Sequence, residues 1–381
     1  MVQSKYTMLL ALCLCMASAA NAQEEKLVVK PSGRILMDGA ALGSNDETLN
    51  EKAEGGFAVP DVRLGVSATY GKWKAKVDVG YSRQTLALKD VYMQYGINAT
   101  NLVRAGYFIQ QFGYQSATSS SFKVAMESPA TNAFSNDSRL LGVMFEHYDD
   151  KFIGAVSAYT DNQSMKKATN ETGYQGAGAM ARFVYHPFIK RGNLLHMGVG
   201  VSYDKASKNN SNMKWTASYP TRVCDVTAIG TKFDDGKGDV KAQAEFMISR
   251  GQLALETQAT YMNVQRKDAA PSYTAWGAYG NLRFLFNNEY TYTKVNGGIE
   301  TPAPKSWEAV LSYNHTDMND GDVRGGLLND WALTMNYYIN KYMIWRVSSH
   351  LVNVGANNST LTATNNATRF WVVETRLQFK I

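Results

Sequence analysis

Residues 61–82 read DVRLGVSATYGKWKAKVDVGYS. Val62, Leu64, Val66, Ala68 and Tyr70 share one parity, with Arg63, Gly65, Ser67 and Thr69 on the other. Past Gly71 the alternation resumes, with Trp73, Ala75, Val77, Val79 and Tyr81 set against Lys74, Lys76, Asp78, Gly80 and Ser82. A period of two sends successive side chains to opposite faces of a strand. The stretch therefore reads as two strands joined by a tight turn, each with one apolar and one polar face. The tail repeats the pattern: Trp371, Val373, Thr375, Leu377, Phe379 and Ile381 lie on one side, and Glu374, Arg376, Gln378 and Lys380 on the other.

Working outward, the same pattern predicts strands over 31–39, 61–70, 73–83, 86–97, 101–110, 139–148, 151–160 and 176–187. The second half adds 194–205, 238–249, 252–263, 273–287, 305–316, 327–339, 342–354 and 367–381, and a weaker stretch at 290–298 is a candidate extra strand. The connections alternate in length. Those at 40–60, 111–138, 161–175, 206–237 and 355–366 are long, and those at 71–72, 149–150, 250–251 and 340–341 are tight. The connection 288–304 and the short turn at 84–85 break the alternation. Long loops at one end and tight turns at the other, with an apolar outer band and aromatic rings near strand ends, describe a transmembrane β-barrel. Tyr70, Trp73, Tyr81, Trp276, Trp307, Tyr313, Trp331, Tyr337, Trp345 and Trp371 all fall on the apolar parity. A soluble sandwich would use shorter strands. In hydrocarbon every backbone polar group must be paired, so the sheet has to close. The expected fold is an all-β antiparallel transmembrane barrel of about sixteen strands, with long external loops, short periplasmic turns and both termini on the short-turn side.

Composition agrees. Of 381 residues, 45% are hydrophobic, 19% charged and 12% aromatic, and the formal charge of +6 is spread evenly. Without a basic stripe, nucleic acid is not an expected partner. Lys5, the apolar run Met8–Met16 and the small-residue site Ala20-Asn21-Ala22 have the order of a secretory signal peptide. Residues 1–22 are the expected leader and 23–381 the barrel. Cys13 and Cys15 leave with the leader, Cys224 stays alone, and no intramolecular disulfide can form. No apolar run in the remainder approaches the ~20 residues that a membrane-spanning helix needs.

Arg63-Leu64-Gly65-Val66-Ser67, Leu88-Lys89-Asp90-Val91-Tyr92-Met93-Gln94-Tyr95 and Arg104-Ala105-Gly106-Tyr107-Phe108 through Phe112-Gly113 resemble the phosphate-selective porin O and P family. Ser138-Arg139-Leu140-Leu141-Gly142-Val143, Leu311-Ser312-Tyr313, Asn319-Asp320-Gly321, Gly325-Gly326 and Asn329-Asp330-Trp331 continue the resemblance. It implies a sixteen-stranded homotrimeric porin in a Gram-negative outer membrane, in contact with lipid and passing small anions such as phosphate or polyphosphate. It also marks Arg63, Asp90 and Arg139 as anion-contacting positions. The chain departs from the family at Pro60-Asp61-Val62, where members tend to carry adjacent arginines, so one cationic contribution is expected to be missing.

Parity places Lys74, Lys76 and Arg104 on the lumen wall beside Arg63, in a mixed lumen where bases slightly outnumber acids. Asp90 is expected to accept a hydrogen bond from protonated phosphate or to hold a neighbouring arginine. Residues 111–138 form a long connection rich in small polar residues, with Lys123 as its basic residue before Arg139. A loop of that length is usually functional or disordered. We expect it to fold inward as the constriction. The five histidines lack i, i+4 metal spacing, and no nucleophile-elbow, P-loop or dinucleotide motif occurs, so neither metal, cofactor nor enzyme activity is expected. Two rival functions remain at this level: a non-selective general porin, and a non-conducting surface adhesin or structural barrel.

Overall fold

Sixteen strands close into one antiparallel barrel, as the alternation requires. The computed structural model describes residues 26–82, 85–119, 121–134, 139–161, 175–207, 210–295 and 297–381. The expected leader, residue 84 of the short turn 84–85 and most of the long connection 161–175 lie outside them. The first wall strands are β1 (Val28–Ser44), β2 (Gly56–Tyr70), β3 (Trp73–Ser82), β4 (Thr85–Gly96) and β5 (Asn101–Ile109). Next come β6 (Arg139–Tyr148), β7 (Phe152–Thr160), β8 (Ala177–Lys190) and β9 (Asn193–Lys205). A hairpin of β10 (Met213–Ser218) and β11 (Thr227–Phe233) stands apart from the wall, which resumes with β12 (Gly236–Arg250), β13 (Leu253–Arg266) and β14 (Tyr273–Phe286). After the two-residue strands β15 (Tyr292–Thr293) and β16 (Gly298–Ile299), the wall ends with β17 (Ser306–Asp320), β18 (Val323–Tyr338), β19 (Met343–Val354) and β20 (Thr368–Lys380). β20 pairs with β1 from Arg34↔Lys380 to Ser44↔Phe370, which removes the last open edge.

All sixteen expected segments are wall strands. The first long connection is shorter than expected, 45–55 rather than 40–60. The small residues Gly39–Gly43 carry no alternation to read, yet pairing with β20 keeps them extended. The candidate extra strand at 290–298 is no wall strand. It is the minimal β15–β16 ladder within the connection 287–305.

The outward parity stays exposed and apolar: Leu64 at 69%, Leu351 at 61% and Trp331 at 50% are typical. Such a surface is stable only against lipid. Trp73 packs on Tyr95 and Trp307 on Tyr337 across strands, adding ring contacts of the kind favoured at interfaces.

The inward parity is not uniformly polar, and this positions everything inside the barrel. Along β13 it reads Ala254, Glu256, Gln258, Thr260, Met262 and Val264: apolar at the short-turn end, polar in the middle and apolar at the long-loop end. β14 runs the other way with the same result, from Tyr273 and Ala275 through Asn281 and Arg283 to Leu285. The apolar upper ring needs a cover. The β10–β11 hairpin supplies it, burying Trp215, Tyr219, Ile229 and Phe233 against Met262, Tyr273, Leu328, Val352 and Phe370. Each such side chain removed from water contributes about 1.5–3 kcal/mol. At the other end Tyr290 and Ile299, from the connection 287–305, pack on Leu194, Met247, Ala254 and Leu285.

Between these caps the wall from β8 to β20 is held by buried ion pairs. Arg182 bonds Glu245 at 2.8 Å, Lys241 meets Asp239 at 2.7 Å and Asp204 at 3.0 Å, and Arg283 bridges Glu256 and Glu308. Glu308 also accepts from Tyr290 at 2.9 Å, Asn336 at 3.0 Å and Tyr338 at 2.6 Å. Removing one partner of such a pair strands its buried charge, at about 3–5 kcal/mol. Arg283→Met, which leaves two carboxylates facing each other, should lower the temperature at which the folded band converts to the unfolded one in detergent gels. An unchanged conversion temperature would show that the pair adds nothing to the wall.

Candidate pore site

Residues 110–119 and 121–134 of the loop between β5 and β6 lie inside the barrel, because their polar groups meet the inward residues of one side of the wall. Gln115 Nε2 donates to Tyr279 Oη at 2.9 Å, and the Gln115 amide donates to Gln258. Asn336 Nδ2 donates to the Val124 carbonyl, Arg346 to the Lys123 carbonyl, Arg376 to the Met126 carbonyl and Gln378 to the Ser121 carbonyl. Thr131 Oγ1 reaches Asn314 Oδ1 at 2.6 Å. These anchors run from β13 to β20, and the gap behind the loop is a cavity of about 30 Å³, room for about one water. Glu127 is the loop's electrostatic latch, held by Arg376 at 2.6 Å and by Arg222 of the β10–β11 hairpin at 2.9 Å. Burial pushes its carboxyl up, but the two guanidinium groups outweigh burial and hold it at about 2, so the latch stays charged.

With one side sealed, water is left against the other. On the covered wall the inward bases Arg182, Lys241, Arg283 and Arg376 are at most 5% exposed. On β2 to β6 they keep more: Arg63 22%, Lys76 26%, Arg104 16% and Arg139 14%. The open path runs along this second face. At the long-loop end it meets a polar cavity of about 470 Å³ between Ser82, Glu127 and Arg222, and at the short-turn end one of about 300 Å³ between Phe122 and Thr301.

Cross-strand register sets a row of cations on that face. Lys380 lies opposite Arg34, Arg34 opposite Arg63, and Arg63 opposite Gly80. Gly80 has no side chain, and Lys89 fills its place: a Cβ there would stand 2.4 Å from Lys89 Cε. Electrostatically, Lys89 neighbours Arg63, Arg139, Asp61 and Arg222. Like charges directly opposite each other on adjacent strands destabilise a sheet. Asp61 offsets part of that cost, accepting from Arg63 Nε at 3.2 Å and from Arg34 Nε at 3.0 Å. One carboxylate serves two guanidinium groups. Lys89 and Lys380 have no carboxylate partner among the described residues.

The sequence-derived residues fall into four groups. Arg63 belongs to the row. Asp90 bonds Arg139 Nε at 2.8 Å and Lys76 Nζ at 3.4 Å, so it holds its basic neighbours in place, and Lys76 also pairs with Asp78 at 2.7 Å. Lys74 has Arg104, Lys76 and Lys30 as electrostatic neighbours, while Arg104 is tied to Glu146 at 3.1 Å and lies 4.7 Å from the centroid of the Tyr92 ring. Lys123 sits elsewhere. Its ammonium bonds Ser128 Oγ at 3.0 Å and it lines the sealed cavity behind the loop. Arg34, Lys89 and Arg222 were not among the expected site residues. The signal for Lys89 was a parity switch in β4, where exposed Leu86 and Leu88 give way to Met93, and the ladder slips between Val77 and Val79.

The sequence profile of the phosphate-selective porin O and P family matches residues 30–381. The chain belongs to that family. No curated protein matches it in sequence. Among solved structures it is similar to an anion-selective porin from Comamonas acidovorans, with a TM-score of 0.60 at 11% identity over 93% of this chain and 100% of that one. It is also similar to OmpT of Vibrio cholerae in its trimer form (TM-score 0.56, 10% identity, 93% of this chain and 99% of that one). OprB of Pseudomonas putida gives a TM-score of 0.54 at 10% identity over 94% of each chain. These likenesses carry the fold. This phosphate-selective porin O and P family member is an outer-membrane porin of a Gram-negative bacterium, with its long loops outside and its short turns in the periplasm.

Proposed function

We propose that this porin passes small hydrophilic solutes with a preference for anions, along a path between β2–β6 and the inward loop, which narrows it. The observation that carries the reading is the row Lys380–Arg34–Arg63 with Lys89, where Asp61 is shared by two guanidinium groups. An arginine fork pairs with oxyanions in two-point fashion, and fixed charge at a narrow place biases which ions enter. Departure from the family at Pro60-Asp61 then has a different weight: Asp61 orients Arg34 and Arg63 instead of simply deleting a cation. Lys74, Lys76 and Arg104 extend the basic face toward the periplasm, and Arg139, at the long-loop end of β6, is positioned by Asp90.

The zero-current potential across a KCl gradient tests this reading. A chloride-selective sign is expected, a potential near zero means a general porin, and absence of conductance means a structural barrel. Phosphate selectivity is a finer proposal, supported by the guanidinium pair and by the family's name. It requires phosphate to block chloride current at sub-millimolar concentration. We further propose a homotrimer, in line with the trimer form of the structurally similar OmpT.

A further inference from the structure

We infer that the cavity at the periplasmic end of the path is a second solute subsite, which takes a hydroxylated organic anion such as a sugar phosphate through Phe122 and Lys380. This deepens the anion-porin reading and rests on it. Large exposed apolar side chains belong on the lipid face of this wall, yet Phe122 lies on the loop inside the barrel and keeps 44% of its surface exposed. It is no loose ring. The Phe122 amide donates to the Ser119 carbonyl at 2.8 Å, and its neighbour Ser121 is fixed on both sides, by Gln378 at its carbonyl and by Arg34 at its hydroxyl.

The ring forms one side of the cavity of about 300 Å³, at the lower end of the range for small-molecule pockets. Ile299 and Gly298 of the periplasmic connection face it, with Thr118, Thr293 and Thr301 between. Thr301 Oγ1 is buried and has no hydrogen-bond partner among the described residues. Lys380 brings its ammonium to 3.9 Å from the Phe122 ring centroid. The cavity also contains Glu300, whose carboxylate is occupied by Thr291 Oγ1 at 2.8 Å. Gly298 admits the Tyr114 ring, which fixes the periplasmic connection against the loop and so sets the width of the cavity: a Cβ at Gly298 would fall 2.3 Å from Tyr114 Cε2. An aromatic face and an aliphatic wall give bare phosphate nothing to bind. A sugar ring can lay its C–H face on Phe122, while its anionic head meets Lys380 as a point charge.

Chloride current through single channels, with glucose 6-phosphate, inorganic phosphate or glucose added on the periplasmic side, tests this. Glucose 6-phosphate should half-block the current at about fivefold lower concentration than phosphate. Phe122→Ala should abolish that advantage and leave the phosphate value unchanged, Phe122→Tyr should retain it, and Lys380→Gln should weaken block by both anions. Equal block by the two anions in the wild type overturns the subsite, as does an advantage that survives Phe122→Ala, or block by glucose as strong as by its phosphate. The zero-current potential of the same channels keeps the two readings apart: anion preference without a glucose 6-phosphate advantage refutes the subsite alone.

Discussion

Replacing Arg63 and Lys89 together by glutamate should turn the channel from anion-preferring to cation-preferring at 0.1 M salt or below. The two substitutions change the local charge by −4 (from +2 to −2). With Asp61 counted, the row of Lys380, Arg34, Arg63 and Lys89 goes from +3 to −1, so the row as a whole becomes acidic. Fixed charges act over about a Debye length, ~10 Å at 0.1 M, so the reversal should fade as salt is raised toward 1 M. Lys74→Glu with Lys76→Glu is the informative comparison. Lys76 already pairs with Asp78 and Asp90, and those pairs mute its field, so this second double variant should shift selectivity less. An equal or larger shift from the Lys74 and Lys76 pair would move the selective place toward the periplasm.

Deleting residues 116–121 should raise single-channel conductance roughly twofold or more, because the narrowest segment dominates the resistance of a pore. The deletion removes the end of the helical turn Tyr114–Ala117 and the Ser121 contacts to Arg34 and Gln378, while the latch at Glu127 remains. The loop should then retract toward β13–β20 and widen the path. Selectivity should weaken in parallel, since Arg34, now 4% exposed beneath the loop, faces a wider and better-screened lumen. Unchanged conductance in a barrel that still shows heat-modifiable migration would place the narrowing elsewhere, with the periplasmic connection 287–305 the next element to test.

Barrel and strand count were legible because lipid enforces them: Leu64, Val66, Val77 and Tyr81 must face hydrocarbon, and a period of two is the direct trace of that demand. The interior was legible only where it is polar. Met262 and Val264 on the inward parity look the same in sequence as their lipid-facing neighbours, so nothing announced that the hairpin 213–233 would dock on them. The connection 287–305 was noticed as a break in loop lengths. Its reason is Leu194, Met247 and Leu285, an apolar ring at the periplasmic end that Tyr290 and Ile299 cover. Arg63, Arg139 and Asp90 came through the family resemblance, whereas Lys89 was hidden by a ladder slip that turns it inward beside Asp90. Arg222 sits between the two strands of the hairpin, where no periodicity reaches. Pairing was the least legible feature of all. That Asp61 would be shared by two arginines depends on the register of β1 with β2, which no local pattern encodes.

The proposed preference for anions rests on the cationic row of the open face, and the zero-current potential of the wild-type channel between about 0.05 and 0.5 M KCl, a range around the ~10 Å Debye length of 0.1 M salt, decides it. The potential should take the sign that chloride diffusion sets and shrink as both solutions are made more concentrated. A potential of the sign that potassium sets would contradict it.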